Sequence, residues 1–201
     1  MKYEATIQKD GSSINIPMPE SYEDCFVLIN SDIYRMTGKC FSSFHVVFAL
    51  LNPFHSHFLF WFRMCKYKGW LYPFCRLFHK FESLRWHIDF PIRTKVGYGF
   101  YMSHGFCIVV NGGTVIGNNV TISQFMNIGS NDNTPAIIGD NVWMGPGVCV
   151  VEDVQIGSNS TIGAGAVVTK DVPSNSTCAG VPARVLNYDN PGRYIVRPWR
   201  Y

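Results

Sequence analysis

FPIRTKVGYGFYMSHGFCIVVNGGTVIGNNVTISQFMNIGSNDNTPAIIGDNVWMGPGVCVVEDVQIGSNSTIGAGAVVTKDV, residues 90–172, is written in sixes. From Phe90 an apolar residue recurs at Val96, Met102 and Ile108. After a two-residue slip it resumes at Ile116, Ile122 and Ile128, and after a four-residue insertion at Ile138, Met144, Val150, Ile156, Ile162 and Val168. No helix has that period. A beat of six, often followed by Gly as at Gly97, Gly117, Gly145 and Gly163, predicts a β-helix of hexapeptide turns, three to a triangular coil. The periodic residues point inward, and small or β-branched residues four places on (Val120, Val142, Val148, Val154, Ser160, Ala166) fill the corners. One coil cannot bury its own apolar face, so stability grows as coils stack. Most of these Ile and Val side chains are therefore core and say nothing of chemistry.

Outside the repeat, composition sets broad bounds. The 201 residues suffice for one large domain or two small ones. A net charge of +3, with no dense Lys/Arg stripe on the repeat, gives no nucleic-acid surface. Seven cysteines, odd in number and without paired metal spacing, fit free thiols in a reducing compartment. The opening MKYEATIQKDGSS is too polar for a signal peptide, so the expected location is cytoplasmic. Three regions follow: an N-terminal arm and α-helical region (1–88), the β-helix (89–173) and a C-terminal extension (174–201).

Residues 1–19 read as an arm, with INIPMP extended. Ser21 is placed to cap a helix, Phe26, Ile29 and Ile33 give it an apolar face, and Gly38 stops it. Residues 41–81 are crowded with aromatics, but Asn52, Pro53 and histidines interrupt them, so no run is long enough to span a bilayer. They read as helices packed on the end of the β-helix. The sharper alternative is peripheral contact with the inner membrane surface, with Arg63, Lys66, Lys68, Arg76 and Lys80 toward headgroups and Trp61, Trp70 and Tyr72 at the interface. Pro191, Gly192 and Pro198 forbid a long regular element in the C-terminal extension, which is expected to pack back along the coils.

Titratable residues are scarce in the repeat, and its one histidine is His104, in MSHGFC. Imidazole is suited to take a proton from a hydroxyl near neutral pH. Asp89 stands fifteen residues earlier, close to one lap if a coil holds about eighteen residues. A carboxylate there would hold the far N–H of the imidazole and stabilise the imidazolium.

DFPIRTKVGYGFYMSHGFCIVVNGGTVIGNNVTISQFMNIGSN resembles the catalytic coils of the serine acetyltransferase branch of the hexapeptide acyltransferases. IGDNVWMGPGVCVVEDVQIGSNSTIGAGAVVTKDVPSNSTCAGVPARVL resembles the acetyl-CoA-binding coils of the wider superfamily. The resemblance implies a mainly β fold, a left-handed parallel β-helix preceded by a small α-helical region, assembled as a homotrimer with active sites between subunits. It implies that His104 is the catalytic base and Asp89 its orienting partner. Acetyl-CoA, the co-substrate, would lie along Gly145, Pro146 and Ala164, with its nucleotide phosphates at Thr169 and Lys170 and Arg184 assisting. No metal is expected.

The chain departs from the branch where serine would be gripped. Ser103 stands where serine acetyltransferases carry Asp, and Asn133 and Thr134 stand where they carry an Arg-His pair. A zwitterion needs charged partners when desolvated. The aromatic helical lead-in is similar in plan to the O-acetyltransferases of capsular and exopolysaccharide synthesis. The expected function is therefore transfer of acetyl from acetyl-CoA to a hydroxyl of a sugar or polysaccharide precursor, with Ser103, Asn127, Asn131 and Asn133 near the acceptor. Serine O-acetylation and a non-catalytic β-helix scaffold are the alternatives. A metal-dependent hydrolyase like the γ-class carbonic anhydrases needs three converging histidines, and the repeat has one.

Overall fold

The computed structural model describes residues 1–42, 56–130, 134–151 and 153–200. The repeat folds as a parallel β-helix with three faces. The first face stacks the strands Ile88–Asp89, Ile108–Val110, Asn127–Ile128, Cys149–Val150 and Val167–Val168. The second stacks Lys95–Val96, Val115–Ile116, Ile137–Ile138 and Gln155–Ile156, and the third runs from Tyr101–Ser103 through Thr121–Ser123, Trp143–Met144 and Thr161–Ile162 to Thr177–Ala179. The inward column is buried from Phe90 to Cys178, and the expected corner residues Val120, Val142, Val148, Val154, Ser160 and Ala166 are buried as well. At roughly 1.5–3 kcal/mol for each buried Val or Ile, this column carries the fold.

The register differs from the sequence reading in one place. Ile138 pairs with Ile156 and Met144 with Ile162, a lap of eighteen residues. Val96 pairs with Ile116 and Met102 with Ile122, a lap of twenty. The two extra residues do not follow Ile108. Ser103 pairs with Ser123 and Val109 with Asn127, so the longer connection lies between Ser103 and Val109 and contains His104. Val110, paired with Ile128, takes the inward place expected of Ile108, and both are buried. The coils also continue past residue 173, because Thr177–Ala179 pairs in parallel with the strand at Thr161–Ile162.

The remaining elements cover what the coils leave open. Strands β1 (Lys2–Ile7) and β2 (Ser13–Met18) form an antiparallel hairpin where an arm was expected. It sets Ile14 and Ile16 against Val115 and Ile137 of the second face. Helix α1 (Tyr22–Thr37) starts as predicted, Ser21 Oγ accepting from the Asp24 N–H, and ends at Gly38, φ 72°. Helices α2 (Ser56–Met64) and α3 (Tyr72–Trp86) close the N-terminal end of the β-helix, where Phe58, Leu59 and Phe62 join the core beside Phe90 and Phe100.

That end is held by ions. Arg63 grips Asp32 through two bonds of 2.8 and 2.9 Å and donates to the carbonyls of Val96 and Gly97. Asp32 Oδ1 also accepts from the Phe100 N–H, at 2.8 Å. Lys66 donates to the carbonyls of Ile92 and Thr94. Arg63 and Lys66 therefore serve the first coil, not lipid headgroups, and Trp61 packs against Phe74 and Phe78. Among the described residues no helix is long and apolar enough to cross a membrane. All seven cysteines are free.

After an antiparallel strand at Arg184–Asn187, the C-terminal extension returns along the corner between the second and third faces. The Gly192 N–H donates to Asn159 O, Tyr194 packs on Trp143, Asn119 exchanges two bonds with the Trp199 backbone, and Arg197 reaches Met36 O. Asn141, Asn159 and Asn175 form a side-chain ladder at the same corner, each with positive φ, a conformation that asparagine tolerates better than most residues.

Asp32→Asn should lower stability by about 3–5 kcal/mol in urea unfolding, because it leaves a buried guanidinium without its counter-charge. Burial pushes the imidazole of His79, on α3, down to about 4. Its folded pKa lies below its unfolded value, so its contribution is present above about pH 6.5 and is lost as pH falls toward 4. His79→Leu should therefore flatten the loss of urea midpoint between pH 7 and 5.

Candidate active site

The corner joining the third face to the first is built from one residue per coil. The register Ser103 to Ser123, Thr121 to Trp143 and Met144 to Ile162 stacks His104, Gln124, Pro146 and Ala164 in one column. Backbone bonds fasten it: the Gly147 N–H donates to Gln124 O at 3.0 Å and the Gly165 N–H to Pro146 O at 2.8 Å. With about 4.8 Å per coil, His104 stands roughly 14 Å from Ala164 along the axis.

The column changes character along its length. Gly147 and Gly165 turn the corner with φ of 70° and 67°. In the first two coils the same turn is made by His104 (50°), Cys107 (50°) and Phe125 (59°), where a side chain costs of order 1 kcal/mol or more. Strain kept at an exposed histidine points to use rather than packing. Gly145 is needed for close stacking, since a Cβ there would lie 2.8 Å from the Ala164 nitrogen. Beside Gly165 the space is open, with nothing within 4 Å of where a Cβ would stand. A thin extended chain could lie against the backbone there.

The first face holds most of the remaining candidates. Asp89 is exposed on its lowest strand and pairs with Val109, with Asn127 exposed one coil further on. Thr169 and Lys170 are exposed just past Val167–Val168, at the opposite edge of this face from the His104 column. Arg184 is exposed and pairs with Ala179, at the Ala164 end of the column. Ser103 is half-buried beside His104. Asn131 and Asn133 lie outside the described residues, and Thr134 is exposed. The structure thus brings His104, Pro146, Ala164 and Arg184 to one edge, and sets Thr169 and Lys170 across the face from them.

The expected bond between Asp89 and His104 is not formed. A lap is twenty residues here, so Asp89 lies beneath Val109, five residues beyond His104. Among the described residues neither side chain has a hydrogen-bond partner. Both face solvent in the first coil, where His87 meets Phe106 edge-on at 5.7 Å and Phe106 meets Phe125 of the next coil at 5.9 Å. Catalytic hydrogen bonds are often long or unmade before substrate binds.

One residue escaped the sequence reading. Gln124 follows Ser123 as His104 follows Ser103, which puts it one coil from the imidazole, and its side-chain oxygen is buried without a partner. Counting twenty from His104 would have found it, had the longer first lap been visible. Among the described residues no three His, Cys, Asp or Glu side chains gather as a metal site.

Comparison with known proteins supports this fold. The family model for the bacterial transferase hexapeptide, six repeats, matches residues 135–170. Serine acetyltransferase 3, mitochondrial, of Arabidopsis thaliana is 41% identical over 110 residues, covering 52% of this chain and 28% of that protein. Serine acetyltransferase of Haemophilus influenzae is 33% identical over 116 residues, covering 55% and 43%. The chain thus spans less than half the length of these curated relatives. Among solved structures, soybean serine acetyltransferase complexed with serine superposes with a TM-score of 0.64 at 26% identity, over 81% of this chain and 69% of that one. The serine acetyltransferase of Brucella abortus strain S19 gives 0.67 at 24%, over 85% and 70%. The fold is the expected hexapeptide β-helix with helices before it. The likeness runs to serine acetyltransferases rather than to the capsular and exopolysaccharide enzymes that the lead-in suggested.

Proposed function

We propose that the chain is an acetyl-CoA-dependent O-acetyltransferase with His104 as its general base. The observation that carries this reading is the corner column, which sets an exposed, left-handed histidine in line with the small residues Pro146 and Ala164. The acceptor O–H gives its proton to the imidazole, and the freed oxygen attacks the thioester carbonyl. The tetrahedral adduct collapses with cleavage of the C–S bond, and the imidazolium returns the proton to the departing thiolate. Asp89 is the positioning carboxylate for that imidazolium, drawn to it once substrate fills the corner. The pantetheine arm lies along Gly145, Pro146 and Ala164, and Lys170 and Arg184 meet the nucleotide phosphates as point charges or forks. Thr169 and Lys170 act across the first face, so the complete site needs a second copy packed on it, in keeping with a homotrimer.

L-serine is the acceptor that the comparisons favour, since the matched relatives are serine acetyltransferases and one solved relative holds serine. A sugar hydroxyl is the second reading. Its support is local: Ser103 beside the imidazole and Thr134 are neutral, which suits a polyol better than a zwitterion. A thiol-release assay with L-serine and with nucleotide sugars separates the two, and release with neither acceptor counts against acetyl transfer to both classes.

His104→Ala should lower turnover at least about a hundredfold while calorimetric CoA binding persists, the usual scale for loss of a general base. Near-normal turnover would remove the assignment. Asp89→Asn should cost less, because orientation suffers while the base survives.

A further inference from the structure

Helix α3 is amphipathic the wrong way round. Its inward face carries Cys75, His79 and Glu82, all buried, and Trp86, whose indole N–H donates to Glu82 at 2.8 Å. Its outward face carries Phe74, Leu77, Phe81 and Leu84, spaced three and four residues apart as one stripe. Leu77, Phe81 and Leu84 are 66%, 58% and 63% exposed, and Trp70, just ahead of the helix, is 83% exposed. A surface helix of a protein surrounded only by water places such residues inward.

Cations edge the stripe. Arg76 and Lys80 lie along one side and Arg85 along the other, all exposed, and the only acid of the helix is the buried Glu82. Arg76 and Lys80 also line a cleft of about 750 Å³ between α3 and the first coil, together with Arg93. Among the described residues none of these three has a carboxylate partner. The buried imidazole of His79 borders the same cleft with its Nε2 unpaired. Large apolar groups beside Arg76 and Lys80, at the mouth of a cleft that Arg93 also lines, match a sheet of anionic phospholipid: acyl chains for the stripe, phosphates for these cations.

We propose that α3 docks the protein flat on an anionic membrane surface, with Phe74, Leu77, Phe81 and Leu84 below the headgroups and a lipid phosphate held by Arg76, Lys80 and Arg93. The docking is independent of the acetyl-transfer reading, but it brings the Asp89 end of the first face to the bilayer, since Asp89 lines the same cleft. A second copy of the chain is the rival occupant of the stripe.

Co-sedimentation of the full chain with vesicles decides it, using phosphatidylglycerol mixed with phosphatidylcholine against phosphatidylcholine alone. Binding is expected to the anionic vesicles, weakening with added salt. The L77S/F81S and R76E/K80E double variants, whose side chains are exposed and whose melting should match the parent, are each expected to weaken the partition at least about tenfold. The parent staying in the supernatant with anionic vesicles overturns the proposal, as does equal binding to neutral vesicles or unchanged binding by both variants. A drop in solution mass on L77S/F81S, without vesicle binding by the parent, assigns the stripe to a subunit contact instead.

Discussion

The end of a β-helix is an open rim of backbone, and in this chain the Asp32–Arg63 pair closes it. A first coil has no coil below it, so its carbonyls and N–H groups lie unpaired, and an apolar lid would leave them buried and unsatisfied. Arg63 supplies donors to Val96 and Gly97, Asp32 supplies an acceptor to Phe100, and each neutralises the other. Lys66 and Arg35 extend the same service to Ile92, Thr94 and Gly99. The helices therefore do more than cover apolar surface. They carry the polar groups that let the stack begin, and the Phe58, Phe62 and Phe90 packing follows from where those groups hold α2.

With the lid in place, each coil templates the next, and function is left to the corners. The corner between the second and third faces is given to stability: the asparagine ladder and the returning C-terminal extension occupy it. The corner between the third and first faces holds the imidazole. Division of labour between edges follows from the triangular section, because a residue at one corner meets its equivalents in adjacent coils but not those at the other corners.

Much of this was written plainly in the sequence. The beat of six gave the β-helix, Ser21 and Gly38 gave the bounds of α1, and His104 stood out as the one histidine in the repeat. What was not legible depended on register. Ile108 and Val110 are both apolar, so the beat could be continued through either, and only strand pairing shows that Val110 keeps it and that the long connection surrounds His104. The same two residues set Asp89 beneath Val109 rather than two places nearer His104, and hid Gln124. The hairpin was missed for a different reason. Asp10-Gly11 is a turn signal, but the alternation of β1 is weak because five of its six residues are exposed, and its partner surface is the second face, far away in sequence. The sense of α3 was hidden too, since periodicity reveals an apolar stripe without saying whether it faces protein or solvent.

The lengthened connection between Ser103 and Val109 has a consequence for how such chains diversify. Pairing resumes at Val109 with Asn127 as though nothing had been inserted, so the stack does not register the length of that loop. The residues around His104 can then drift by lengthening, shortening or recolouring one bend, while the inner stack and the small-residue column at Pro146 and Ala164 stay untouched. A scaffold of this kind separates the freedom to choose a substrate from the obligation to remain folded.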